Sequence, residues 1–328
     1  MKKCLIFIAA LVLMTVCLSA CGTGNKPNDA GDSVKKARIV TTIFPVYDWI
    51  RNVLGNNTGN IEVTMLLDNG VDLHSYQPTA DDILRISTCD LFVFVGGESD
   101  KWVADVLKKA TNKDMIVINL MDALGSRARV EEIVEGMEAG EEEDEEEGEP
   151  EYDEHIWLSL RNADILVNRI EEAIEKIDAG NAETYRRNAK AYSEKLNALD
   201  KEYREAVEGS RIRTLLFGDR FPFRYLTEDY GLDYYAAFIG CSAETEASFE
   251  TIVFLSGKVD ELRLHSIITI EGTDHRIAET VVRNTQNKDQ KILTMDSMQS
   301  VTAVDARNGA GYLEIMKKNL STLKEALK

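Results

Sequence analysis

Histidine is nearly absent from this chain, with 4 in 328 residues. Cysteine and proline are almost as scarce, five of each, and 38 Lys and Arg face 57 Asp and Glu. Each shortage excludes something. Cys4, Cys17 and Cys21 crowd the N-terminus, so only Cys89 and Cys241 remain for a folded body. That is no disulfide framework: the two could pair in an oxidising compartment, but they read rather as buried thiols. A net charge of −19 without a basic cluster argues against nucleic-acid binding. The acidity is itself local: residues 131–154 hold fifteen Asp and Glu and no Lys or Arg, which leaves −4 for everything else. Past the N-terminus, no apolar run is long enough to span a bilayer. The phosphate loop Gly-x-x-x-x-Gly-Lys-Ser/Thr, the zinc-protease helix His-Glu-x-x-His and the Gly-x-Ser-x-Gly elbow are all missing.

What is present begins with an export signal. Lys2 and Lys3 precede an apolar run from Cys4 to Leu18, too short for a comfortable span of about 20 residues. The run ends in Leu18-Ser-Ala-Cys21, which resembles the lipobox of bacterial lipoproteins. That resemblance implies a signal peptide over 1–20, lipid on Cys21, and anchoring at the outer face of the cell membrane. Residues 21–36 are polar and aperiodic and read as a flexible tether.

The body alternates strands and helices. Apolar runs at Ala37–Phe44, Ile61–Leu67, Leu91–Val95 and Met115–Asn119 are separated by helical patterns. The same rhythm returns with strands at Arg213–Phe217, Ser266–Ile270 and Lys291–Met295. Such alternation predicts an α/β fold with mainly parallel sheets covered on both faces. Between the halves, Tyr185, Tyr192, Leu196, Leu199 and Tyr203 recur at helical spacing and define one long helix. The expected organisation is an N-terminal lobe over 37–180, a linking helix over 181–208 and a C-terminal lobe over 209–328. Within the first lobe, the Glu-rich residues 131–151 predict a mobile loop. That loop either concentrates hydrated cations or is a solvated insertion.

Two of the four histidines sit beside carboxylates, in Gly70-Val-Asp-Leu-His74-Ser-Tyr-Gln-Pro78 and Asp153-Glu-His155-Ile-Trp-Leu158. Neutral imidazole is the commonest metal ligand. In open α/β sheets ligands bind beyond the carboxyl ends of the strands. His74, His155, the Gly218-Asp219-Arg220 segment, Glu271 and Asp296 all fall at such ends. Meeting in a cleft, they would make a mixed nitrogen and oxygen site suited to zinc or manganese. His275 reads as a surface residue beside the helix cap Asp274, and His265 lies at the far end of its strand.

These segments carry a family resemblance over nearly all of the mature chain. The His74 segment is similar to the Gly-x-Asp-Pro-His-x-Tyr-x-Pro loop of the solute-binding lipoproteins of bacterial zinc/manganese ABC importers. Asp153–Asn162 is similar to their Asp-Pro-His-x-Trp-Leu-x-Pro-x-Asn segment, and Met295-Asp-Ser-Met298 to the Asp-Ser segment with the last carboxylate ligand. The resemblance implies two lobes joined by a long helix, and a divalent metal as cargo with no organic cofactor. It also implies a permease partner with a separate ATPase, a monomeric binding protein and no enzymatic activity. Its variable loop before the second histidine is here acidic and free of histidine.

One position departs from the pattern. Where the family places its third ligand, His or Glu, this chain has Arg220, which offers no lone pair. Asp219 could serve instead, or Glu271, or Arg220 could pair with a cleft carboxylate. The departure keeps a second reading alive, a related receptor for an anionic or chelated ligand, since an arginine fork suits carboxylate or phosphate. An extracellular zinc hydrolase is a third reading, without a motif to support it.

Overall fold

The computed structural model describes residues 36–56, 59–138, 151–242, 246–272 and 274–328. The signal segment, nearly all of the tether including Cys21, and residues 139–150 of the acidic run lie outside the described residues. Lys36–Lys328 form one compact unit. Among the described residues no helix is long and apolar enough to cross a membrane.

Two four-stranded sheets organise that unit. The first contains β1 (Ala37–Thr41), β2 (Ile61–Met65), β3 (Leu91–Phe94) and β4 (Ile116–Asn119), in the order β2-β1-β3-β4. The second contains β5 (Thr214–Phe221), β6 (Asp233–Ile239), β7 (Ser266–Ile270) and β8 (Lys291–Met295), in the order β6-β5-β7-β8. Every pairing is parallel. Parallel strands need crossovers, and the crossover helices bury both faces. The central strands are accordingly unbroken apolar runs: all of β3 and β7 is buried.

Local chemistry sets the helix starts. α1 (Phe44–Leu54) carries Pro45 in its first turn, where no amide partner is missed. α2 (Ala80–Thr88) opens on a reciprocal capping box between Thr79 and Asp82. α3 (Val103–Lys109) and α4 (Leu120–Leu124) complete the first half. α5 (Leu160–Ile177) then runs into α6 (Ala182–Glu208), 27 residues and about 40 Å long. Tyr185, Tyr192, Leu196, Leu199 and Tyr203 are all buried on one face of α6. The second half adds α7 (Arg224–Tyr230), α8 (Phe249–Leu262), α9 (Arg276–Asn284), α10 (Ala303–Arg307) and α11 (Tyr312–Ala326). α6 packs on α5, α1 and α11, so one continuous apolar core runs through both halves.

Two elements differ from the sequence expectation. β6 has no counterpart in the predicted strands; its Asp-Tyr-Tyr-Ala-Ala-Phe-Ile run sits at a sheet edge, paired on one side by β5. The acidic stretch is not structureless from residue 131. Val130 bridges Tyr152, Glu138 bridges Phe238 of β6, and Met137 is buried. Its flank thus covers the open edge of β6, where unpaired backbone would otherwise face water.

Candidate metal centre

His74 lies beyond the carboxyl end of β2, on a single 3₁₀ turn, Leu73–Ser75. Buried Leu73 pins that turn, and the Asp72 side chain caps it by accepting from the His74 amide at 3.0 Å. His155 opens a second 3₁₀ turn, Ile156–Leu158, and is fully buried. Asp153 Oδ1 accepts from both its amide, at 2.8 Å, and its ring Nδ1, at 3.0 Å. The His74 Nδ1 lies 2.8 Å from Ser99 Oγ and 3.4 Å from Glu154 Oε2. With both Nδ1 atoms turned to oxygen, both Nε2 atoms turn to each other, 3.3 Å apart.

The surroundings of the pair are acidic and closely fitted. Burial opposes ionisation of Glu154, but the His74 and Ser99 interactions outweigh it and hold its carboxyl below the ordinary range. Gly97 makes room for this carboxylate. It has φ +80°, and a Cβ there would overlap the Glu154 side chain. Gly240 does the same for His155. A Cβ on Gly240 would stand 2.9 Å from the Phe221 carbonyl oxygen and 3.0 Å from His155 Cε1. Gly240→Ala should therefore displace the imidazole and weaken any divalent metal held by the histidine pair roughly 10- to 100-fold, the range seen when a ligand's support is disturbed. Competition titration checks this, and an unchanged affinity would contradict the fit.

Sequence reasoning named five ligand candidates, and the structure brings two of them together. Among the described residues the cluster of possible ligands is His74, His155 and Cys241, whose ligand atoms lie within 4.8 Å of one another. Asp219, Glu271 and Asp296 do not belong to it. Asp219 sits at a bulge in β5, where the register against β6 shifts between Phe217 and Arg220. Its carboxylate accepts from the Arg220 amide within the bulge and from the Ile270 amide at the end of β7. Glu271 accepts from the Ser297 amide and hydroxyl and from the Gln299 amide. Asp296 accepts from the Met298 amide at 2.8 Å. Both carboxylates hold the turn after β8.

Arg220 follows the third of the alternatives and pairs with a cleft carboxylate. Its Nη2 donates to Asp72 Oδ2 at 2.8 Å, and its Nη1 to the Ser242 carbonyl at 3.2 Å. Burial would raise the Asp72 carboxyl, but the His74 and Arg220 charges outweigh it and keep it lowered. The guanidinium thus ties the His74 loop to the loop after β6. With its fork occupied from within, it is poorly placed to hold an anionic ligand. Cys241, on that second loop, is the residue that sequence reasoning missed. Its thiol is pushed up by burial and by the charges of Glu131, Asp153 and Glu154. His275 occupies the N-cap of α9 with φ +58°, and the Asp274 carboxylate accepts from the Arg276 amide.

Several buried carboxyls near the cleft make the metal-free fold sensitive to pH. Asp100 is pushed up to about 7 by burial, with the Glu154 charge adding to it. Burial and the Asp153 charge bring Glu131 to about 7, and burial and the Asp296 charge bring Glu271 to about 7. In the native state these groups hold protons at a pH where the unfolded chain has lost them. Their stability contribution is complete below the ordinary carboxyl range and disappears as pH rises to about 7. The metal-free protein should melt at a lower temperature near about pH 8 than near about pH 5.5. Calorimetry of chelator-stripped protein that found the reverse order would contradict these environments.

The chain matches the family model described as zinc-uptake complex component A, periplasmic (ZnuA), over residues 39–326. It is 31% identical over 333 residues to the zinc-binding lipoprotein AdcA of Streptococcus pneumoniae, covering 99% of this chain and 61% of that protein. It spans little more than half, 56%, of AdcA from Streptococcus pyogenes. To the high-affinity zinc uptake system protein ZnuA of Bacillus subtilis it is 28% identical over 329 residues, 98% of this chain and 97% of the relative. The Zn(II)-bound ZnuA-like domain of Streptococcus pneumoniae AdcA superposes with a TM-score of 0.69 at 28% identity, covering 89% of this chain and 99% of that one. Two parallel sheets joined by a long helix, a histidine pair between them and a family match from the first strand to the last helix agree: the chain belongs to the ZnuA family of solute-binding proteins.

Proposed function

We propose that this chain captures zinc outside the cytoplasm, between His74 and His155, and delivers it to an ABC permease served by a separate ATPase. One observation carries the reading: two imidazole Nε2 atoms face each other at 3.3 Å while both Nδ1 atoms are turned to oxygen partners. A carboxylate facing Nδ1, Asp153 at 3.0 Å for His155 and Glu154 at 3.4 Å for His74, favours the proton there and leaves the Nε2 lone pair outward. Two such lone pairs repel unless a cation lies between them. A tetrahedral zinc with Zn–N of 2.0–2.1 Å requires an N–N edge of about 3.3–3.4 Å. The names of the relatives in Streptococcus and Bacillus point to the same cargo. Manganese is the lesser cargo on this reading, because imidazole suits zinc better and manganese stands lower in the affinity order. Lipid on Cys21 would hold the receptor at the outer face of the membrane, and its role is transport rather than catalysis.

Calorimetric titration of chelator-stripped protein tests the reading. One zinc per chain is expected with submicromolar affinity, at least about 8 kcal/mol of binding free energy, and manganese should bind more weakly. Absence of a zinc heat, or stronger binding of manganese, would contradict it.

A further inference from the structure

We infer that Cys241 is the third zinc ligand, so that the centre is a His₂Cys site built on a thiolate. The inference rests on the zinc-capture reading above and names the donor set of that same site. Three features of the structure converge on it. The Cys241 sulfur shares one cluster with the two histidines, all three ligand atoms within 4.8 Å of one another. Zn–N near 2.05 Å and Zn–S near 2.3 Å need tetrahedral N–S edges of about 3.6 Å. The sulfur therefore closes by at most about 1.2 Å, a side-chain adjustment. Gly240 lets the backbone just before Cys241 lie against the His155 ring, an approach a Cβ would block. Arg220 grips the Ser242 carbonyl just after Cys241 while its other nitrogen holds Asp72 on the His74 loop. The residue that cannot ligate thus positions the loop that carries the thiol.

The three carboxylate candidates stand outside this cluster. Asp219 serves the β5 bulge, and Glu271 and Asp296 serve the turn after β8. On zinc binding the S–H bond breaks, the proton leaves to solvent, and the sulfur lone pair forms the Zn–S bond. A thiolate with two imidazoles selects zinc and rejects manganese, which prefers oxygen ligands. The fourth position is left for water or a carboxylate.

Cobalt(II) reports the donor set directly, because thiolate ligation adds a near-ultraviolet sulfur-to-cobalt charge-transfer band. The sample is residues 36–328, the compact unit that contains every described contact. The band is expected on addition of one cobalt and should disappear when zinc displaces it. Cys241→Ser should lose the band and bind zinc more weakly by over roughly 100-fold, beyond what loss of an outer partner costs. Cys89→Ser should keep both. Stoichiometric cobalt and zinc binding without the band would overturn Cys241 as a ligand and leave zinc capture by the histidines standing. Failure of the wild-type unit to bind either metal would overturn both. The wild-type spectrum decides the matter even if Cys241→Ser fails to fold.

Discussion

His155→Ala should abolish the rise in melting temperature that zinc produces. At a free concentration about 1,000-fold above Kd, a ligand that binds only the folded state adds about 4 kcal/mol of stability. For a chain of this size that is a rise on the order of 10 °C. His155 is fully buried, and its Nδ1 is the partner of Asp153. Alanine removes one nitrogen from the facing pair and leaves the Asp153 carboxylate without its ring donor. The second effect lowers the metal-free melting temperature, since an orphaned buried partner costs about 1–3 kcal/mol. The two effects separate in one experiment: the metal-free variant melts a few degrees lower, and zinc then moves it by less than a degree or so. A variant that keeps more than half of the zinc-induced shift would show that His155 is no ligand.

Trp157→Ala should be the most destabilising single change at the centre. Trp157 is fully buried next to His155, with ring centroids 5.3 Å apart. Its Nε1 donates to the Ser297 carbonyl at 2.8 Å, which joins the His155 segment to the turn after β8. Its own carbonyl accepts from the Tyr312 hydroxyl at 2.7 Å, and Tyr312 packs edge-on against Trp49. Truncating a buried tryptophan costs about 3–5 kcal/mol. Trp157→Phe keeps much of the ring but leaves the Ser297 carbonyl without this donor, a loss of about 1–3 kcal/mol. Urea unfolding of the metal-free protein distinguishes the two steps. A Trp157→Ala cost below about 1 kcal/mol would mean that the segment is not held through this side chain.

The parts of the centre that could be read from sequence are the parts with local signatures. His74 and His155 each stand within two residues of a carboxylate that caps their own backbone, so motif and geometry coincide. The linking helix was legible because its buried face repeats at helical spacing over 27 residues. Cys241 had no such signature. It reaches the histidines because β6 pairs with β5 across a bulge, and β6 itself was unmarked, an edge strand with two alanines at its centre. Asp219 and Glu271 show what a strand-end carboxylate leaves open in sequence. A carboxylate at a strand end can face a ligand or can satisfy backbone amides, and only the bulge and the turn after β8 decide between them. Residues 131–138 were misjudged from composition: Met137 and one backbone bridge fasten a charged stretch to a sheet edge.

Diffraction from zinc-loaded crystals, recorded on both sides of the zinc absorption edge, tests the central claim most directly. One anomalous peak is predicted in the cleft, about 2.0–2.1 Å from each of His74 Nε2 and His155 Nε2. A fully occupied zinc elsewhere on the molecule, with no peak between the two imidazoles, would contradict the assignment of this pair as the capture site.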